Sequence, residues 1–241
     1  VGDVTGLLDP DTPTIVSIFG RKRSGKSVLA SRLWRTYPFD RVCVDPAGDA
    51  DVGPEDDPQD PIRVIHGTGD DIPTRFPTDP DGKRMSVRYE GDVGSPTYQD
   101  DLDRAVALGL FHPRKRCLMW VDEVGDLTTG NKTPPNFRRA LHKSRHYGLS
   151  MLMCGPRPMD VNRLVVSQAD LLYCFDLPIP EDRERVAKTI GYDPREFDEI
   201  ILGLPQHGFV QWDATARVLT EYPPLPLRAA EITNTDGAGV N

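Results

Sequence analysis

Thr14-Ile15-Val16-Ser17-Ile18-Phe19-Gly20-Arg21-Lys22-Arg23-Ser24-Gly25-Lys26-Ser27 joins a strand-like run to a helical one through a glycine-bounded loop. The first six residues are mostly apolar and β-branched, which suits a buried strand, and Gly20 ends it. From Lys26 to Trp34 the apolar residues Val28, Leu29, Leu33 and Trp34 recur at helical spacing. Between them, Gly20–Ser27 matches GxxxxGK[ST] in full, in the strand–loop–helix setting that this motif requires. In such a loop the backbone N–H groups and the positive end of the helix dipole hold phosphate oxygens. The spacing assigns Lys26 to the β/γ oxygens of a nucleoside triphosphate and the Ser27 hydroxyl to Mg²⁺. Gly20, Arg21, Lys22, Arg23, Ser24, Gly25, Lys26, Ser27 and Val28 form the nucleotide-binding set. Gly20 and Gly25 permit the backbone angles and the close approach. ATP and Mg²⁺ are the expected cofactors.

On either side of this loop, strand and helix patterns alternate. Residues 1–12 read as a polar arm. Arg41–Asp45 is a second strand, closed by Pro46 and Gly48. Residues 46–82 are rich in Asp, Pro and Gly, with one short apolar run at Ile62–Ile65, and read as a loop-rich acidic insertion. The alternation of apolar and basic residues in Met85–Tyr89 predicts an edge strand. Tyr98–Phe111 has helical periodicity. Cys117–Val121 is continuously apolar, as in a strand covered on both faces. Pro135–Tyr147 is a basic helix with Pro at its start. Leu149–Cys154 and Leu171–Phe175 are further buried strands, and Glu181–Ile190 and Pro194–Leu202 are helices separated by Gly191. Residues 208–212 and 218–222 resemble a terminal hairpin. Residues 223–241, Pro-rich and then small and polar, read as a flexible tail. The alternation predicts one α/β domain over 1–222, with a mostly parallel sheet and helices on both faces.

The 241 residues carry 29 Lys and Arg against 37 Asp and Glu, a net charge of −8 that by itself disfavours a nucleic-acid partner. The charge is uneven, however. Asp45–Asp60 holds seven acids and no base, whereas Lys132–Arg145 holds five Lys and Arg and no acid. Salt screens charges beyond about 10 Å, so a local basic face can bind phosphates on an acidic protein. The four cysteines sit in apolar strand-like runs without a CxxC pair and read as buried thiols. No apolar run approaches the roughly 18 residues of a membrane span, and Val1–Val4 shows no basic or apolar leader. The expected setting is cytoplasmic: the host cytoplasm, or the virion if the source is viral.

Cys117-Leu118-Met119-Trp120-Val121-Asp122-Glu123 has the Walker B form, an apolar strand ending in two acids. Asp122 at the strand end can hold the Mg²⁺ shell, and Glu123 can polarise the attacking water as general base. Asp122-Glu123-Val124-Gly125 also fits DxxG, and Asn131-Lys132 looks like the start of a guanine-reading NKxD. Pro134 stands where that motif needs Asp, and the pair follows DxxG too closely to occupy another strand, so a GTPase is disfavoured.

After Asp122-Glu123 come the basic helix with Ser144-Arg145-His146-Tyr147-Gly148, an apolar strand leaving at Arg157-Pro158, and Leu204-Pro205-Gln206-His207-Gly208-Phe209-Val210. With the phosphate loop and a second strand ending Asp45-Pro46, these landmarks resemble the HerA/FtsK superfamily of P-loop ATPases over roughly residues 14–213. Within it the chain is most like viral and phage genome-packaging ATPases. The resemblance implies an additional-strand, RecA-like P-loop NTPase fold and an ATP-hydrolysing ring motor, hexameric, that translocates double-stranded DNA without sequence preference. It also implies an arginine finger supplied by a neighbouring subunit, with Arg145 the first candidate and Arg157 the second. Arg138, Arg139 and Lys143 on the basic helix are the candidate DNA contacts, and a portal, capsid or membrane-vertex protein is the candidate anchor. One departure stands out: the family places a polar sensor before the Arg-Pro, and this chain has Cys154-Gly155-Pro156. Two other classes compete. One is an assembly or extrusion ATPase that moves protein and ignores DNA. The other is a small-molecule kinase, which the acidic 46–82 segment suits poorly.

Overall fold

The Thr14–Phe19 run forms strand β1 (Ile15–Phe19), buried at every position, and Lys26 opens helix α1 (Lys26–Thr36). These belong to a computed structural model that describes residues 8–54, 57, 60–128 and 133–226. The other elements follow in chain order: β2 (Asp40–Val44), β3 (Ile62–Gly67), β4 (Ser86–Gly91), α2 (Tyr98–Leu110), β5 (Cys117–Val121), α3 (Val124–Leu127), α4 (Pro135–Tyr147), β6 (Leu149–Gly155), α5 (Arg163–Ser167), β7 (Leu171–Cys174), α6 (Pro180–Ile190), α7 (Pro194–Gly203), β8 (Phe209–Asp213) and β9 (Val218–Tyr222).

The strands form one sheet in the order β3-β4-β2-β5-β6-β1-β7-β8-β9. All pairings from β3 to β7 are parallel, and β8 and β9 add an antiparallel hairpin, as the sequence predicts. β6 lies between the phosphate-loop strand β1 and the Asp122 strand β5, which is the additional-strand arrangement. Side chains alternate between two apolar cores. Phe19, Met119, Val121 and Met151 face helices α2–α7. Val16, Ile18, Trp120 and Leu152 face α1 together with Ala50 and Val52 of the acidic segment. Helices therefore cover both faces, unequally. The four cysteines are buried and unpaired by disulfides. Among the described residues no helix is long and apolar enough to cross a membrane.

One expectation needs correcting. β4, from the Met85–Tyr89 alternation, is interior, and the edge strand is β3, from the single apolar run of the acidic segment. The alternation misleads because its basic residue is paired internally: Arg88 donates from Nε to Asp45 Oδ2 at 2.9 Å. The 46–82 segment thus carries a strand as well as loops, and it is pinned to the sheet. Arg41, fully buried, donates to Asp60, to the Trp34 carbonyl at 2.8 Å and to Ser86. Arg84 reaches the same Asp60 at 2.9 Å. At the other end, Leu225 packs on the α1 core and Arg32 donates to the Pro226 carbonyl, so the first residues of the 223–241 tail are docked. The remainder of the tail (227–241), residues 1–7 of the arm and Asn131-Lys132 lie outside the described residues.

Candidate nucleotide site

Parallel strands deliver their carboxyl ends to one edge of the sheet, and the candidate residues gather there. Gly20 leaves β1 and the loop seats itself on Phe175, the residue after β7. A Cβ on Gly20 would lie 2.6 Å from Phe175 Cβ and 2.7 Å from Ser24 Oγ, and one on Gly25 would lie 2.9 Å from Phe175 Cε1. Only glycine lets the loop settle this deeply, so the requirement at both positions is one of packing as well as backbone angle. The Arg21 amide donates to the Asp176 carbonyl at 2.9 Å, and its guanidinium pairs with the Asp176 carboxylate. Lys26 Nζ donates to the Arg21 carbonyl at 3.2 Å, which folds the cation back over the loop. The amides that open α1 have no intrahelical carbonyl to meet. Ser24 Oγ is buried without a hydrogen-bond partner. Loop, lysine and helix start together fit a polyphosphate.

Two strands away, β5 leads into Asp122, whose amide donates to the Val44 carbonyl of β2 at 2.9 Å. This registers Asp122 beside Asp45, the first residue after β2. Ligand oxygens of Asp45, Asp49 and Asp122 lie within 4.8 Å of one another. An all-oxygen group of this kind suits a hard divalent cation such as Mg²⁺. Asp45 is already committed, because its carboxylate accepts from Arg88 and from the Gly48 and Ala50 amides, both at 3.0 Å. Asp122 and Asp49 are the carboxylates left to meet an ion, directly or through water. Burial, joined by the charges of Asp45, Glu123 and Asp49, pushes the Asp122 carboxyl up to about 7, against a partial counter-effect of Lys26. Burial also raises Glu123. Glu123 occupies left-handed backbone, φ 53° and ψ 57°, uncommon for a non-glycine residue.

The other candidates divide. Arg157 follows β6 and stands at the same sheet edge, where Nε meets the buried Asp182 carboxylate at 3.0 Å. Arg145 stands at the opposite edge. Its guanidinium meets Asp170 Oδ1 at 2.8 Å, while Asp170 Oδ2 accepts from the Ile15 amide at 2.8 Å, at the far end of β1. The length of β1, roughly 13 Å, separates Arg145 from its own phosphate loop. Arg138, Arg139 and Lys143 lie exposed on one face of α4, with Phe137, Ala140, Leu141 and Ser144 buried behind them. Cys154 lies near the end of β6, buried and held as a neutral thiol by burial.

Four site residues escaped the sequence motifs. Asp45 was visible only as a strand end, Asp49 as one acid among many, Arg88 as part of an alternation, and His207 as part of a family landmark. His207 Nδ1 lies 3.3 Å from the Ser24 carbonyl.

This architecture defines the class: a RecA-like α/β fold of the P-loop NTPases, with the additional strand. No protein-family model matches the chain, and none of the curated proteins does. Solved structures do match. One is the genome packaging NTPase B204 from Sulfolobus turreted icosahedral virus 2 in complex with AMPPCP, 22% identical, with 90% of this chain and 100% of that one covered and a TM-score of 0.64. Its sulfate complex gives a TM-score of 0.68 at 22% identity, covering 90% and 98%. VirB4 of Thermoanaerobacter pseudethanolicus is 10% identical, with 96% and 94% covered and a TM-score of 0.63. At these identities the likeness is one of fold, and it bears out the fold implied by the HerA/FtsK resemblance.

Proposed function

We propose that this chain is an ATP-hydrolysing ring motor that drives double-stranded DNA, in the setting of viral or phage genome packaging. The observation that carries the reading is the meeting, at one sheet edge, of the Gly20–Ser27 loop with Asp122 and Glu123, across the intervening strand β6. In this reading the loop amides and Lys26 bind and orient the triphosphate. Ser27 and Asp122 would hold Mg²⁺, which would supply positive charge to the phosphates. Glu123 takes the proton of the attacking water. It follows the carboxyl end of β5, and burial raises the basicity of its carboxylate. Arg145 serves as the finger to a neighbour's nucleotide, with Arg157 second. Such fingers are worth roughly 10³–10⁵ in rate in related chemistry. The position of Arg145 supports service in trans, because its own loop is a full strand length away. The exposed face of α4 offers Arg138, Arg139 and Lys143 to DNA phosphates. The viral-packaging setting is drawn from the B204 likeness, and a hexamer and a portal, capsid or membrane-vertex anchor belong to the same reading.

Steady-state ATP hydrolysis with and without long double-stranded DNA, at low and moderate salt, tests it. Stimulation that fades with salt is expected. Turnover indifferent to DNA would favour an assembly or extrusion ATPase and would recast the α4 face as a subunit contact.

A further inference from the structure

The α2–β5 connection, residues 111–116, holds three Lys and Arg and no acid, and residues 135–148, which form α4 and its close, hold no acid either. The fold presses the two segments together. Gly148 sits at φ 63°, where a Cβ would lie 1.7 Å from the Lys115 carbonyl oxygen, and its own carbonyl accepts from the Cys117 amide at 3.2 Å. One basic surface results, on a chain whose net charge is −8. Arg114 turns from it toward Asp40 at 3.7 Å, and Arg116 toward Asp11 at 2.8 Å. Lys115, Arg139 and Lys143 are exposed and meet no carboxylate among the described residues. Phe111, the residue after α2, stands among them 50% exposed. We propose that this surface binds a single strand of DNA and stacks an unpaired base on Phe111, an inference that rests on the DNA-motor reading above.

Charge and aromatic surface occur there together. Arg139, Lys143 and Tyr147 recur every fourth residue, the spacing that lines one face of a helix. Both ends of that row meet Phe111: the Tyr147 ring packs edge to face with it at 5.6 Å, and the Arg139 guanidinium stands 5.8 Å from its centroid. His146 continues the rings, 5.1 Å from Tyr147. Arg145 is not part of this row and turns to Asp170 instead. In a duplex each base face is covered by its neighbours, so a duplex would engage the cations and leave the rings idle. A single strand offers phosphates and free base faces at once. Proteins that hold one combine cations along the backbone with aromatic rings under the bases, and every base has a face to stack, so the grip is independent of sequence. Tyr147 already holds the Phe111 ring in place, so little side-chain freedom is lost on binding.

Fluorescence anisotropy with the full chain tests this, using three DNA probes of one length: oligothymidylate, the same strand without its bases, and a blunt duplex. The wild type is expected to bind oligothymidylate roughly tenfold more tightly than the abasic strand, about what one stacked base supplies. Phe111→Ala should erase that preference and leave the abasic strand and the duplex as they were. Phe111→Leu, which keeps apolar packing against Tyr147, should lose it in the same way, and Phe111→Trp should retain it. Arg139→Ala combined with Lys143→Ala should weaken all three probes. Equal affinity of the wild type for the two single strands would overturn the platform. So would Phe111 variants that keep the preference, or that weaken both single strands equally. Unchanged affinity for every probe in Phe111→Ala, with self-association of the chain reduced in sedimentation, would overturn it in favour of a contact between copies. Wild type that binds the duplex and neither single strand overturns the platform alone. Wild type that binds none of the three overturns the DNA reading together with the platform.

Discussion

Asp122 is 9% exposed and shares its surroundings with Asp45, Asp49 and Glu123, so ionising it without a cation is costly. Its folded-state value, about 7, lies above the ordinary 3.8. The carboxyl's contribution to stability is therefore complete below about pH 4 and is lost as pH rises through 7. Asp122→Asn should stabilise the metal-free protein at pH 8 by up to about 4 kcal/mol, and by less at pH 5. Thermal unfolding in chelator, at the two pH values, measures this. Mg²⁺ should narrow the difference at pH 8, because only the wild type gains from it. An unchanged midpoint at pH 8 would mean that the carboxylate bears no such cost. Glu123 differs in role, and Glu123→Gln keeps shape and loses basicity. Nucleotide binding should persist while turnover falls about 10²–10⁴-fold, the range of a general base. Full turnover in that variant would remove Glu123 from the chemistry.

At the scale of elements, α4 carries the basic surface. Its start is capped from α2: Asp103 Oδ1 accepts from the Phe137 amide at 2.8 Å and Oδ2 from the Asn136 amide at 3.1 Å. The helix is kinked at Lys143, φ −133° and ψ 17°. Near its end Phe111 and Tyr147 pack edge to face at 5.6 Å, and the Arg139 guanidinium stands 5.8 Å over the Phe111 ring. The basic residues thus project from a helix anchored at its start and near its end. Replacing Arg138, Arg139 and Lys143 together by Ala should weaken double-stranded DNA binding and lower the slope of log affinity against log salt by about 3. Titrations at several salt concentrations read the slope. An unchanged slope would move the DNA path off α4.

At the scale of the whole molecule, the parallel sheet separates two functions. The phosphate loop and the carboxylates occupy the edge where strands end, and Arg145 with the close of α4 occupies the edge where β1 and β6 begin. Head-to-tail packing of identical subunits can bring the second edge of one copy to the first edge of the next, and such heterologous contacts close into rings. Arg145→Ala should then assemble and bind nucleotide but not turn over. Mixed with wild type, it should depress activity by more than dilution. Activity that falls only in proportion to the mixing ratio would exclude Arg145 as the finger in trans and shift attention to Arg157.

How much of this was legible in the chain depended on distance along it. The phosphate loop is a contiguous stretch whose roles follow from local backbone chemistry, and the Walker B strand announces itself as an apolar run with two acids at its end. The parallel sheet, the hairpin and most helix bounds follow from period and punctuation. The order of the strands does not, since β3 could not be recognised as the edge from its own six residues. Nor do the pairings that tune the site. Arg88 meets Asp45 across 43 residues and His207 meets Ser24 across 183, contacts that exist only once the sheet has brought the strand ends together. The sequence by itself determined the phosphate loop and the acid pair that follows β5, because each is a contiguous stretch. The tertiary structure alone decided that Asp45 and Asp49 gather beside Asp122, and that Arg145 stands a strand length from the phosphate loop of its own chain, because each of these is a matter of distance in space.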